Sequence, residues 1–135
     1  MECSYTIRPE GNITYIHVEG TVSAAIIPQI IKELWQGKDY EHPCVLWDFR
    51  SCVAGLGPEE LRELGRFVSE DKDKRGYGKV ALVVSSYFHF ELSRIYETYV
   101  NELPYEVKAF KDIAAAKKWL QKKSTKRVLY VNRLD

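Results

Sequence analysis

Two unbroken apolar runs, each followed by a stretch of helical periodicity, constrain this chain more than anything else in it. Cys44-Val45-Leu46-Trp47 is one, and Val80-Ala81-Leu82-Val83-Val84, inside the segment Lys79 to Ser85, is the other. A strand that is apolar on both faces must be covered on both, as central strands of parallel sheets are. After the first run, Leu61, Leu64, Phe67 and Val68 recur at helical spacing. After the second, Phe88, Leu92, Ile95, Tyr96, Tyr99 and Leu103 do the same. Parallel neighbours need a crossover connection, usually a helix. The chain is therefore expected to be an α/β protein with helices packed on a sheet.

The flanking segments extend the pattern. Ser4-Tyr5-Thr6-Ile7-Arg8 and Ile13-Thr14-Tyr15-Ile16-His17-Val18 are strand-forming runs separated by the turn residues Pro9-Glu10-Gly11-Asn12, which predicts an antiparallel hairpin. Ile27, Ile30, Ile31 and Leu34 mark an amphipathic helix with Pro28 in its first turn. The first apolar run is expected to be a strand over Pro43 to Phe49, followed by a loop. A helix then opens at Gly57-Pro58-Glu59-Glu60, where proline and carboxylates suit a helix N-terminus. Glu70 to Gly78 reads as a charged, glycine-punctuated loop. Tyr105, Val107 and Ala109 alternate with Glu106 and Lys108, and Asp112 caps a short helix carrying Ile113, Ala116 and Leu120 inward. The order is ββαβαβαβα, a mixed sheet with a parallel centre and an antiparallel N-terminal hairpin.

The 135 residues suffice for one domain, assigned to residues 1–121, with 122–135 as a C-terminal extension. Within that extension Arg127-Val128-Leu129-Tyr130-Val131 is a compact β-forming run. It is expected to add a strand over 127–131, in its own chain or in a neighbour, the latter making a homodimer. A formal charge of +1 offers no general attraction to nucleic acid, and no apolar segment is long enough to span a bilayer. No leader pattern opens the chain, so the expected location is the cytoplasm, with neither nucleic acid nor membrane as partner. Cys3, Cys44 and Cys52 form no C-x-x-C or Cys/His cluster, which argues for reduced thiols and against a structural zinc site or other metal. No cofactor motif is present. Gly55-x-Gly57-x-x-Glu60 lacks the third glycine of a dinucleotide loop and leads into two glutamates that would repel phosphate.

Parallel strands end at a common rim, where open α/β sheets place their ligand sites. Asp48, Arg50, Ser51 and Cys52 leave the first central strand there, and Ser85, Ser86, His89 and Arg94 follow the second. His42 enters the strand that Ser51 leaves, at the opposite end, and His17 falls mid-strand in the hairpin. His89 is thus the imidazole placed to serve Cys52 or Ser51 as a base, with Asp48 to orient it. Against catalysis, there is no G-x-S-x-G elbow, and a cysteine is commonly a small buried hydrophobe.

The hairpin together with "VLWDFRS", "VALVVSS", "SRIYETY" and "VKAFKDIAAAKKWL" resembles the SpoIIAA-like group of small bacterial proteins, relatives of the STAS domain (sulfate transporter and anti-sigma factor antagonist). The similarity runs from about Tyr5 to Gln121, its most specific pieces being Asp48, the Arg94-x-Tyr96 pair and the ending Phe110…Ala114…Trp119-Leu120. It implies the SpoIIAA-like sheet-and-helices fold. STAS antagonists switch partners by phosphorylation of a serine at the start of the helix after this strand, in a sequence like D-S-S-G-L. The corresponding segment here is Cys52-Val53-Ala54-Gly55-Leu56, so Val53 and Ala54 replace the serines and the switch does not carry over. Ser51 is nearby but sits earlier in the loop.

The function expected is that of a non-enzymatic regulatory or interaction module whose protein partner or small ligand meets the rim. One alternative is a carrier or sensor of a small hydrophobic or anionic ligand, for which Tyr87 and Phe90, off the helical stripe, would line a pocket. A second is a Cys/Ser-His enzyme.

Overall fold

The computed structural model describes residues 3–23, 25–36, 44–54, 57–70, 78–85, 87–100 and 105–122. The elements follow the expected order: β1 (Ser4–Glu10), β2 (Ile13–Val22), α1 (Ile26–Gln36), β3 (Cys44–Ala54), α2 (Pro58–Glu70), β4 (Gly78–Val83), α3 (Tyr87–Tyr99), β5 (Tyr105–Phe110) and α4 (Ile113–Leu120). The five strands lie in the sheet in sequence order, β1 antiparallel to β2 and every later pair parallel. The hairpin is tighter than Pro9 to Asn12 implied. Both Pro9 and Glu10 belong to β1, and the turn is Gly11-Asn12, with Gly11 at φ +63, a positive angle that glycine adopts without a Cβ penalty.

Because the strands advance in one direction and crossovers are right-handed, α1, α2 and α3 fall on the same face. There Ile27, Ile30, Ile31 and Leu34 of α1, with Leu61 and Leu64 of α2, close over Ile16, Val18, Val45, Trp47, Val80 and Leu82. Helix α4 follows the last strand and lies on the other face, where Ala116 and Leu120 cover Ile13, Leu46, Ala81 and Val83. Both central strands are buried on both faces, as their unbroken hydrophobicity required. Ile95 departs from the expected stripe and is exposed, while Tyr96 packs inward. Adjacent helical residues are about 100° apart, so a stripe narrow enough to take one excludes the other.

The caps conform to local chemistry. Asp112 accepts from the amides of Ala114 and Ala115 at the start of α4, and Glu60 reaches back to the Gly57 amide at 3.0 Å at the start of α2.

One buried cation ties α4 to the sheet. Lys79, on β4, donates to the Trp119 carbonyl at 2.8 Å, lies 4.7 Å from the centre of the Trp119 ring and is 4.0 Å from Glu106. Burial pulls its pKa down. Lys79→Met keeps most of the side-chain volume and is expected to cost about 1 kcal/mol, whereas Lys79→Ala opens a cavity and is expected to cost about 3 kcal/mol, as urea unfolding would show.

Candidate functional site

Strand β3 does not end where the sequence suggested. Its pairing with β4 stops at Asp48↔Val83, but the strand continues to Ala54 with β2 as its partner. Arg50, Ser51 and Cys52, expected in a loop, therefore lie in a two-stranded ribbon that overhangs the sheet. Backbone pairing with β2 stabilises this extension, an interaction that the polar side chains of β3 do not report.

The ribbon contains a bulge. From His17 to Glu19 β2 advances two residues, while the paired stretch of β3 from Asp48 to Ser51 advances three. The extra residue re-aims the side chains beyond it. Phe49 and Cys52, three apart, both pack against the α1–α3 core, so Arg50 and Ser51 fall together on the other face. That face carries Tyr15, His17, Glu19 and Thr21 from β2, and Thr6 and Arg8 from β1 by their registers with His17 and Tyr15.

Asp48 is the anchor. It is 1% exposed, and its carboxylate accepts from Arg50 Nε and Nη2 at 2.9 Å each, from the Arg50 backbone amide at 3.1 Å and from the Tyr15 hydroxyl at 2.5 Å. Burial alone would push this carboxyl up. The Arg50 and Tyr15 hydrogen bonds outweigh it and hold Asp48 well below the usual carboxylate range. Burial, then the bond to Asp48, pushes the Tyr15 hydroxyl up. His17 bridges the cluster outward, its Nδ1 3.6 Å from Asp48 Oδ2 and its Nε2 2.9 Å from Glu19. The Arg8 guanidinium lies 4.6 Å from the centre of the Tyr15 ring. Arg50 is thus a guanidinium fixed along one edge by a buried carboxylate, with its side chain 43% exposed to solvent.

The sequence-derived candidates divide accordingly. Asp48 and Arg50 come together, with Ser51 beside them. Cys52 faces the opposite side of the ribbon, where its thiol donates to the Val18 carbonyl at 3.1 Å and burial pushes its pKa up to about 12. Ser85 is exposed just past the end of β4. His89 lies in the first turn of α3, on the α1–α3 side of the sheet, whereas Asp48 belongs to the other side. Arg94, exposed on α3, acts electrostatically on Glu97. Ser86, the Gly55-Leu56 part of the loop and the strand expected over 127–131 lie outside the described residues. Tyr15, His17 and Arg8 were missed, although along β2 Tyr15, His17, Glu19 and Thr21 alternate with the core-facing Ile16, Val18 and Val22. That alternation was the available signal.

The chemistry open to the site follows from these groups. The first amide of the Gly57-led turn is already occupied by Glu60, which adds to the charge argument against a phosphate cradle. Among the described residues, no three His, Cys, Asp or Glu side chains converge as a metal-binding set. What the geometry offers is recognition: an anchored guanidinium, hydroxyls and an exposed apolar side chain, Val53.

The SpoIIAA-like family model matches residues 13–121. This chain belongs to the SpoIIAA-like family. Two solved structures share the SpoIIAA-like fold with it. An uncharacterized protein from the DUF3478 family with a SpoIIAA-like fold, from Shewanella loihica PV-4, superposes with a TM-score of 0.56 at 15% identity, covering 87% of this chain and 93% of that one. An anti-sigma factor antagonist from Mycobacterium paratuberculosis superposes with a TM-score of 0.60 at 10% identity, covering 90% of this chain and 96% of that one. At such identities the likeness establishes the fold. Among curated proteins, none matches the SpoIIAA-like chain. Among the described residues, no helix is long and apolar enough to cross a membrane.

Proposed function

We propose that this SpoIIAA-like chain is a non-enzymatic regulatory module of the cytoplasm that binds a protein partner through the overhanging β2–β3 ribbon. The observation that carries the reading is the exposure of Val53, at 57%, on the same face of the ribbon as Ser51 and the Asp48-anchored Arg50. An apolar contact beside a positioned guanidinium is the composition of a small interaction hot spot, in which arginine is enriched and the bond to Asp48 lowers the ordering cost. The partner chemistry it suits is an acidic group next to an apolar side chain. The likeness to an anti-sigma factor antagonist supports a regulatory role.

The test uses the whole protein as bait in cytosol of its own host, comparing wild type with Arg50→Ala, Val53→Glu and a control, Glu63→Ala, on the exposed side of α2. One partner retained by wild type and Glu63→Ala, and weakened about tenfold by either ribbon substitution, is the expected result. Partners indifferent to both ribbon variants would refute the reading. A bound small molecule in native mass spectrometry, lost in Arg50→Ala, would replace it with a carrier.

A further inference from the structure

Cys3 and Cys52 lie far apart in the chain, and strand pairing brings them into one row across the sheet. Gly20 of β2 is the registered partner of Cys52 on β3. On its other side β1 runs antiparallel with Ser4 opposite Glu19, so the next step of that register sets Cys3 opposite Gly20. Both cysteines pack against the α1–α3 core cluster, which puts their side chains on the same face of the sheet. Gly20 has a positive φ of +93, a conformation that favours glycine, and no side chain of β2 therefore stands between the two thiols. The row belongs to the overhang of the ribbon, beyond the last β3–β4 pair at Asp48↔Val83. Each cysteine is partly exposed. After burial, Cys3 is the largest contributor to the upward shift of the Cys52 pKa, so the two groups act on one another across the gap.

We propose that Cys3 and Cys52 form a two-coordinate thiolate site for a soft monovalent cation, Cu(I). The span decides between this and a disulfide. The two-residue turn makes Glu10↔Ile13 a hydrogen-bonded pair, and alternation along the ladder makes Cys3 and Gly20 a non-hydrogen-bonded one, with Cα atoms about 4.5 Å apart. The parallel step from Gly20 to Cys52 adds about 4.8 Å, which sets the two cysteine Cα atoms about 9 Å apart. A disulfide accommodates at most about 7 Å. Replacing its bond of about 2 Å by two metal–thiolate bonds of about 2.3 Å in line extends that reach to about 9 Å. The donor set selects the ion. Thiolates favour soft cations, structural zinc takes four ligands, and among the described residues no three His, Cys, Asp or Glu side chains converge. Binding exchanges two thiol protons for one cation, the Cys52 proton giving up its bond to the Val18 carbonyl. No C-x-x-C spacing announces the site, because its two ligands come from different strands. The ion ties the start of β1 to the overhanging end of β3, on the face opposite Arg50 and Ser51, and so is independent of the partner surface proposed above.

Anaerobic titration of the whole reduced protein with Cu(I), supplied as its acetonitrile complex in competition with the chelator bicinchoninate, tests the site, with native mass spectrometry counting the ions. Wild type is expected to hold one ion per monomer. Cys3→Ser and Cys52→Ser should each weaken binding at least about a hundredfold, since a lost ligand costs no less than a lost outer-shell partner. Cys44→Ser should bind as wild type does, because the Cys44 thiol donates to the Leu120 carbonyl on the opposite face. Cys3 stands just before β1, so Cys3→Ser leaves the core intact and its result is readable by itself, with circular dichroism confirming the fold. X-ray absorption of the wild-type complex should show two sulfur neighbours and no oxygen or nitrogen. Failure of wild type to compete with the chelator, binding that survives Cys3→Ser or Cys52→Ser, or one ion shared by two chains would overturn the assignment.

Discussion

Asp48→Asn is expected to lower the stability of the protein by about 3 kcal/mol at neutral pH. The carboxylate is buried and accepts four hydrogen bonds, two of them from a guanidinium. The amide that replaces it has no charge, and it turns a donor toward groups that donate. The partly exposed Arg50 can recover water, so the cost falls short of a fully stranded buried ion. The pH dependence distinguishes this from a simple packing loss. The folded-state pKa of Asp48 lies below its unfolded value, so its contribution is complete above about pH 4 and is lost as pH falls through the depressed value. Urea unfolding should therefore show a gap between wild type and Asp48→Asn that is constant from about pH 8 to pH 5 and closes in acid. Equal stabilities at neutral pH would mean that desolvation cancels the whole network. Because Arg50 would then lose its orientation, the same variant should also weaken partner capture, which links the anchor to the proposed function.

Cys52 is expected to alkylate on the order of a hundredfold more slowly in the folded protein than in the chain unfolded by urea, at the same near-neutral pH. Burial, with smaller contributions from Cys3, Asp48 and Glu19, pushes the thiol up to about 12. Against an ordinary cysteine near 8.5, this removes about three orders of magnitude of thiolate, of which the greater intrinsic nucleophilicity of a more basic thiolate restores about half on the logarithmic scale. Iodoacetamide labelling with peptide mapping separates Cys52 from Cys3 and Cys44. Fast labelling of Cys52 in the folded state would contradict the geometry, in which its thiol is turned to the Val18 carbonyl and away from the polar face. It would also restore the Cys52–His89 pair as a nucleophile and base worth pursuing.

Much of this architecture was legible in the sequence because the signals were local. An unbroken apolar run such as Val45-Leu46-Trp47 needs covering on both faces wherever it occurs, and Asp112 or Glu60 finds its amides within three residues. The ββαβαβαβα order then leaves few topologies, since crossover handedness is set by the chirality of the backbone. The site was less legible. Asp48 and Arg50 were candidates through their position at a strand end, but their partners Tyr15 and His17 lie more than thirty residues earlier. Nothing local marks Tyr15 as the donor to Asp48.

The sequence by itself determined the element order, the parallel centre, the burial of both central strands and the caps of α2 and α4, each a consequence of periodicity or of contacts within one turn. The tertiary structure alone decided that β3 runs on to Ala54, that a bulge sends Arg50 and Ser51 to one face and Cys52 to the other, and that Asp48 becomes the buried anchor of an exposed arginine. Those outcomes depend on the register between β2 and β3, and register is fixed by pairing across the sheet rather than by either strand alone.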